Sequence, residues 1–464
     1  MVMPRALFTP ATMLALLRNL LLLLVMASVS SAPVQAQSIL RDAETEQLLN
    51  DMAEPLIRAA GLQPADVRIV LIGDDSINAF VAGGQIVYIH SGLIEAADNA
   101  NQVQGVIAHE LGHIAGGHAV NSEGANKATT IAILSMLLGA AAMAAGGGEA
   151  GAGIMAAGQQ AALGTYLSYS RVQEATADAA GARYLSAAGI SGRGSVEFFG
   201  KLLNQEMRYN VPQDDEQQYG RTHPMSGDRI RFLTDTYQAD PAWTHATDPT
   251  LEARFQRVKA KLGGFVNDPQ RTLQRFPASD VSAAAHYARA YAWHKSGHPE
   301  QAMAETDALV ALAPHDPYFL ELKGQVLLES GHPVEALAPL REAVARTHDQ
   351  PLIAATFGHA LIATEDDGNF PEAESVLRAA VNRDNENPFA WYQLGIVYAH
   401  NGDEPRAALA TAERYSLTDQ PGLALLNAET ALGGLPANSP DWLRAQDITL
   451  VSRARLDELR RRGR

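Results

Sequence analysis

A repeat of about 34 residues in the second half of the chain constrains its fold more than any other feature. Four similar segments each combine a turn with the start of a helix: "GHPEQA" at 297, "GHPVEA" at 331, "GNFPEA" at 368 and "GDEPRA" at 402. The successive offsets are 34, 37 and 34 residues, and the longer one fits a three-residue insertion near "TEDDG". Such a period predicts pairs of helices that stack on their neighbours along the chain.

Small residues recur in two columns of this repeat and allow the paired helices to approach closely. The columns hold Ala302, Ala336, Ala373 and Ala407, and Ala290, Gly324, Gly358 and Gly395; Pro317, Pro351 and Pro388 close successive units. The pattern is typical of tetratricopeptide repeats, which form a curved solenoid with a concave face. We therefore predict a repeat domain at 281–435, followed by a C-terminal helical tail at 436–464. The concave face should bind an extended or helical segment of a partner protein.

The first 36 residues have the pattern of a signal peptide. Arg5 and Arg18 precede or interrupt a short apolar run, "LLLLLVMA", and "VQA" ends at Ala36 in a typical cleavage sequence. The pattern predicts export, and an uncleaved membrane anchor is the alternative. The absence of cysteine excludes thiol catalysis, disulfides and cysteine-bound zinc. A net charge of −16 argues against nucleic acid as a partner.

Residues 37–240 form a mixed domain by the pattern of their apolar residues. The segment "AETEQLLNDMAEPLIRAAG" predicts an amphipathic helix, and "VRIVLIG" and "GGQIVYIHSGLI" predict two strands. A longer helix should begin near Asp98, with Asp98 or Asn99 as its cap. Residues 241–280 are predicted to connect this domain to the repeats through one short helix, "LEARFQRVKAKLGG".

The stretch "VIAHELGHIAGGH", residues 106–118, carries the strongest chemical signal. His109 and His113 are four residues apart, so a helix places both on one face and both imidazoles can bind one metal ion. Glu110 is placed to act as the base of an H-E-x-x-H metalloprotease site. A helix with surface histidines is the alternative, but the aliphatic neighbours predict a buried helix on which polar groups need partners. Two histidines and a carboxylate suit zinc best.

A third ligand must come from elsewhere, because catalytic zinc sites use three protein ligands and an open position. Residues 168–189 predict a helix on which Glu174 and Asp178 share a face. Ala177 and Gly181 are small, so another helix can approach closely. Glu174 could bind zinc while Asp178 accepts a hydrogen bond from the outer nitrogen of a ligand histidine. A solvated pair of acids next to arginines is the alternative.

Two further histidines are candidates for the same site. His118 lies five residues after His113, off the metal-binding face, and is expected to support a ligand or the fold. His223 lies in "GRTHPMSGDRI" and could donate to a transition-state oxyanion or lock the open zinc position. A surface loop histidine is the alternative for His223.

Residues 128–170 carry no charge apart from Glu149. A hairpin that spans or dips into a membrane is one hypothesis. A pair of small-residue helices buried against or above the active site is the favoured one, because the first leg is shorter than a membrane span requires. Peripheral membrane contact through this segment stays open.

Three motifs in this order, "HELGH", "SRVQEATAD" and "THPMSGDRI", resemble the zinc peptidase family that includes the CAAX prenyl endopeptidases and the membrane heat-shock proteases. With the repeats, the chain is similar to an exported branch of that family. The resemblance implies a mostly α chain: an α+β zincin-like peptidase domain with a small sheet, then the α-helical repeat solenoid. It also implies that "NAFVAGGQIVYIHSGLI" contributes the edge strand along which substrates bind.

The resemblance further implies a role for each site residue. One Zn²⁺ per chain would be held by His109, His113 and Glu174. Glu110 and His223 would be the catalytic residues, Glu110 as the general base and His223 as a group that restrains the site or contacts the transition state. Asp178 would support a ligand. The predicted function is a periplasmic zinc metalloendopeptidase that cuts misfolded or stalled outer-membrane proteins. The repeats would bind these substrates or the outer-membrane protein assembly machinery.

Two other functions stay open at this point. The chain could be a chaperone or docking scaffold for outer-membrane protein assembly whose zinc site is held closed by His223. It could also be an integral membrane peptidase that uses residues 128–170 as a hairpin.

Overall fold

A computed structural model of the chain describes residues 38–118, 127, 131–136, 138, 148–208, 223 and 226–462. The predicted signal peptide lies outside the described residues, as do 128–130, 137 and 139–147 of the uncharged segment. Across the described ranges, no helix combines the length and the apolar character that crossing a membrane requires.

A small mixed sheet lies in the first half of the chain. Its strands are β1 (Ser38–Leu40), β2 (Arg68–Gly73), β3 (Ala79–Ala82) and β4 (Ile86–His90), in the order β1-β2-β4-β3. β2 and β4 are the two predicted strands, and they pair in parallel. β4 ends at His90, so "SGLI" begins a helix instead of extending the strand. β3 pairs antiparallel with β4 and lies at an edge of the sheet.

Helices before and after these strands make up most of the rest of this half. They are α1 (Ala43–Ala59), α2 (Ser91–Ala96), α3 (Ala100–Ala115), α4 (Gly148–Ala187), α5 (Arg193–Arg208) and α6 (Gly227–Gln238). α1 has the predicted position and is followed by Gly61 at φ 74°. Of the two predicted caps for α3, the structure has Asn99, whose side chain accepts a hydrogen bond from the amide of Gln102.

α4 is much longer than the sequence pattern predicted. It has 40 residues and already begins inside "GGGEAGAG", which we had predicted to separate two helical legs. Alanine has the highest helix propensity of all residues, and the alanines between these glycines offset the cost of glycine in a helix.

The second half of the chain is a stack of antiparallel helix pairs, as the repeat predicted. After α7 (Pro249–Val266) and α8 (Pro269–Arg275), the pairs are α9 (Ala283–Lys295) with α10 (Pro299–Leu312), α11 (Pro317–Glu329) with α12 (Pro333–Arg346), α13 (Pro351–Ala363) with α14 (Phe370–Arg383), α15 (Pro388–His400) with α16 (Glu404–Leu417), and α17 (Pro421–Gly434) with α18 (Pro440–Arg462). The expected fold class is confirmed.

The small columns act as predicted, with one difference in detail. A Cβ atom on Gly358 would lie 2.5 Å from Cγ of Leu377, so a larger residue there would separate α13 from α14. Pro317, Pro351 and Pro388 occupy the first position of the next unit's helix, where proline has no amide to leave unpaired. They therefore begin units instead of closing them. The extra residues near "TEDDG" form a short 3₁₀ turn at Asp367–Asn369.

α7 connects the two halves and packs against both. Its Phe255, Val258 and Leu262 are buried in one hydrophobic core with residues of α1 and α3. On its other side, a Cβ atom on Gly264 would lie 2.6 Å from the backbone oxygen of Ala288 in α9. The backbones of α7 and α9 are therefore in close contact.

Candidate metal centre

Two helices meet at small residues and bring the metal-site side chains together. A Cβ atom on Gly112 of α3 would lie 2.7 Å from the backbone oxygen of Ala177, and one on Gly181 of α4 would lie 3.1 Å from that of Ala108. The close approach predicted from Ala177 and Gly181 is therefore present. Because α3 and α4 nearly touch, side chains one turn away can converge on one point.

His109, His113 and Glu174 converge there, all of them buried. Nε2 of His109 lies 3.1 Å from Nε2 of His113. Oε2 of Glu174 lies 3.4 Å from Nε2 of His109, and Oε1 of Glu174 lies 3.4 Å from Nε2 of His113. Ligand atoms of a tetrahedral zinc ion, each about 2.0–2.1 Å from the metal, lie roughly 3.3 Å from one another. The three donors therefore have the spacing of three corners of a zinc tetrahedron.

His223 lies beside these three residues. Its Nδ1 atom lies 3.3 Å from Nε2 of His109 and 3.1 Å from Oε1 of Glu174, and the ring is buried. The donor atoms of all four residues lie within 4.8 Å of one another. His223 is therefore part of the cluster, and the alternative of a surface loop histidine is wrong.

Each ligand histidine has a partner at its outer nitrogen. Oδ1 of Asp178 lies 2.9 Å from Nδ1 of His109, as the helical spacing of Asp178 and Glu174 suggested. Nδ1 of His118 lies 2.9 Å from Nδ1 of His113, so His118 supports a ligand. Such partners fix the orientation of a ligand ring.

The sequence analysis missed Arg229 as a site residue. Its guanidinium contacts both Asp178 and Glu174, at 2.8 Å and 3.1 Å. The only signal was its place in "THPMSGDRI", six residues after His223. A spacing of six does not fit one helical face, so the motif alone did not indicate a shared site.

Glu110 provides the test of whether this site suits a metal. It is 0 % exposed, and within the described part of the chain neither of its carboxylate oxygens has a hydrogen-bond partner. His223 Nε2 lies 3.6 Å away. A buried carboxylate without a donor is costly unless water or an ion satisfies it. Two histidines, one glutamate ligand and this adjacent carboxylate fit a zinc ion with an activated water.

The protonation of the cluster is set by contacts between its histidines and its carboxylates. Burial by itself would lower the pKa of His109, but contacts with Asp178 and Glu174 outweigh it and raise the pKa to about 10. Burial would raise the pKa of Glu174, but the three histidines lower it well below its usual range. The metal-free site therefore keeps a proton on His109, and metal binding must release it.

Two buried histidines one turn apart on one helix, a buried glutamate from the next and a second buried carboxylate beside them could hold a metal ion, which is the arrangement of a metallopeptidase. The model of Peptidase family M48 matches residues 41–237. The chain belongs to this family and is a zinc metalloprotease.

The chain is similar to known proteins over different parts of its length. It is 24% identical over 431 residues to the beta-barrel assembly-enhancing protease of Yersinia pestis, covering 89% of this chain and 83% of that protein. It is 30% identical over 203 residues to the metalloprotease LoiP of Escherichia coli (strain K12), covering 43% of this chain and 73% of that protein. The solved structure of YrrB, a TPR protein with an unusual peptide-binding site, is 21% identical, covers 38% of this chain and 92% of its own, and gives a TM-score of 0.31.

Proposed function

We propose that the protein is a periplasmic zinc metalloendopeptidase that cuts misfolded or stalled outer-membrane proteins. The observation that carries the proposal is the buried cluster of His109, His113 and Glu174 beside the carboxylate of Glu110, whose oxygens have no hydrogen-bond partner among the described residues. The Yersinia pestis relative is a beta-barrel assembly-enhancing protease, which supports the link to β-barrel assembly. The signal-peptide pattern of residues 1–36 supports export.

The residues of the cluster would divide the chemistry among them. His109, His113 and Glu174 would hold one zinc ion, which when bound polarises a carbonyl and lowers the pKa of water to about 7. Glu110 accepts the proton of the attacking water and then donates it to the nitrogen of the leaving amine. Asp178 keeps the ring of His109 in the orientation that points Nε2 into the site.

The edge strand β3 would align the substrate. One side of β3 pairs with β4, so its other side can pair with an extended peptide. Main-chain hydrogen bonds to an edge strand select extended conformation and leave side chains free to vary. This mode suits a protease for misfolded proteins, because it recognises exposed backbone and needs little sequence specificity.

The remaining segments have proposed roles around this centre. Residues 37–240 would be the peptidase domain, 241–280 the connector, 281–435 the repeats that bind substrates or assembly machinery, and 436–464 the C-terminal tail. Ile133, Leu134 and Met136 are half exposed. That apolar surface supports peripheral membrane contact through 128–170.

Replacing the base tests the proposal. Glu110→Gln should retain the fold and one zinc per chain, measured by elemental mass spectrometry, and lower casein cleavage by at least about 100-fold. Glu54→Gln, at an exposed position of α1, is the matched control and should cleave like the wild type. Casein cleavage by Glu110→Gln at the wild-type rate would exclude Glu110 as the base.

A second candidate function is a scaffold with a self-inhibited zinc site. It is supported by the closeness of His223 to His109 and Glu174, from which His223 could occupy the open position on the metal. In a strain that lacks the protein, full rescue of envelope integrity by Glu110→Gln would favour the scaffold. His223→Ala separates the two roles of that histidine. Raised proteolysis would identify a lock, and lost proteolysis would identify a contact with the transition state.

A further inference from the structure

Arg229 touches both carboxylates that build the candidate metal centre. It lies in the first turn of α6, and its side chain is only 13% exposed. Its Nε and one terminal nitrogen donate to the two oxygens of Asp178, at 2.8 and 2.9 Å. Its other terminal nitrogen lies 3.1 Å from Oε2 of Glu174. One planar group therefore fixes two acidic side chains of α4 relative to each other.

The geometry of this contact makes it specific to arginine. A guanidinium presents its donors in a rigid fork that matches a carboxylate, whereas the lysine ammonium is a point charge on a flexible stem. Oδ1 of Asp178, which receives one of these hydrogen bonds, also lies 2.9 Å from Nδ1 of His109. The orientation of Arg229 is thus transmitted to one ligand directly and to another through Asp178.

His223 lies six residues before Arg229 in the sequence and contacts the same glutamate. Ser226 caps α6 by accepting a hydrogen bond from the backbone amide of Arg229, at 3.2 Å, which fixes the first turn of the helix. His223 reaches Glu174 three residues before that cap. His223 and Arg229 therefore both contact Glu174.

The geometry points to Arg229 as a positioning residue. It orients the carboxylate of Glu174 for binding zinc. It also holds His223 close to Glu174. It does not touch the reacting atoms. The inference rests on the proposed zinc site. It adds to that site a cationic residue, whereas Asp178, which supports His109, is anionic.

Zinc affinity, measured by competition with a chelating dye on the full chain, tests this role. Arg229→Met should weaken zinc binding by about 10- to 100-fold, the usual effect of removing a group that orients a ligand. Arg229→Lys keeps the charge and should remain at least about 10-fold weaker than the wild type. Arg231→Met, two residues away with a side chain that is 77% exposed, is the matched control and should bind zinc normally.

A purely electrostatic role predicts different results. Arg229 would then repel the metal, so Arg229→Met would bind zinc as tightly as the wild type or more tightly, and Arg229→Lys would match the wild type. Either result overturns the proposal. Urea unfolding of the zinc-free proteins shows whether Arg229→Met folds. If it does not, Arg229→Lys decides alone.

A double-mutant cycle with His223→Ala tests the tie between the two residues. If Arg229 holds His223 close to Glu174, the effects of the two substitutions on zinc affinity will not be additive. Additive effects would show that Arg229 does not hold His223 in place.

If the wild type itself binds no zinc, the proposed function fails. If the wild type binds zinc and Arg229→Met binds it equally well, only the role of Arg229 fails.

Discussion

The two ligand histidines differ in the residue behind them. His109 is backed by Asp178, a buried carboxylate whose pKa burial would raise but the contacts with His109 and Arg229 lower. His113 is backed by His118, a partly exposed imidazole. An ionised acceptor forms a stronger hydrogen bond than a neutral one and makes the ligand ring more basic. His109 should therefore be the stronger of the two ligands.

Asp178→Asn should reveal this difference. We expect zinc affinity and kcat/KM to fall by about 10- to 100-fold, because the amide cannot supply the negative charge that supports His109. His118→Ala should have a smaller effect on both quantities. Asp228→Asn, whose side chain is 87% exposed, controls for the change in net charge. A larger loss from His118→Ala than from Asp178→Asn would contradict the ranking.

Local spacing explains which site residues could be predicted. His109, Glu110 and His113 lie within five residues of one helix, and Glu174 and Asp178 are one turn apart on another. Helical periodicity is enough to place each of these groups. Arg229 acts on α4 from a different helix, and only the tertiary fold brings it there. The position of His223 depends on the fold in the same way, so the sequence left its role open.

At the scale of elements, the site depends on how closely α3 approaches α4. Gly112 and Ala177 form this contact within one turn of the ligands His113 and Glu174. Protein interiors are close-packed, so an added methyl group must displace the backbone. The crossing of these two helices therefore sets the distance between the histidine ligands and the glutamate ligand.

Gly112→Ala should damage stability and metal binding together. The new Cβ atom would lie 2.7 Å from a backbone oxygen that cannot rotate away. We expect a loss of about 1–3 kcal/mol in the free energy of unfolding, and weaker zinc binding, measured by urea titration and chelator competition. Gly153→Ala on α4 is the control. No atom of the described residues lies within 4 Å of its Cβ position, so alanine should not destabilise the helix. Unchanged zinc affinity in Gly112→Ala would show that the helix contact does not set the ligand geometry.

Elements were predictable where one signal was long or repeated. The repeat helices follow from a period that several residue types share. β1 was not predicted, and β3 was indicated only by the family resemblance, because three or four residues give no clear alternation. Their pairing supplies what their sequence does not. The start of α4 was missed because glycines usually mark breaks, whereas here they lie among alanines that favour a helix.

At the scale of the whole molecule, buried charges join the peptidase helices to the repeats. Glu44 of α1 accepts hydrogen bonds from Lys261 of α7, at 3.4 Å, and from the hydroxyl of Tyr287 in α9, at 2.8 Å. All three residues are at most 3 % exposed. Burial would lower the pKa of Lys261, but the adjacent carboxylate of Asp42 outweighs it and raises the pKa well above its usual range. Lys261 is therefore charged in the fold.

Removing that charge should separate the two halves in unfolding. Lys261→Met removes a cation from the buried Glu44 and the partly buried Asp42, and losing one partner of a buried pair typically costs about 3–5 kcal/mol. We expect the single urea transition of the wild type, followed by circular dichroism and tryptophan fluorescence, to move to lower urea and to split in the variant. Lys323→Met removes a lysine that pairs with Asp307 on the surface of the repeats, and it should cost no more than about 1 kcal/mol. If Lys261→Met unfolds like Lys323→Met, the apolar contacts of α7 alone hold the peptidase domain and the repeats together.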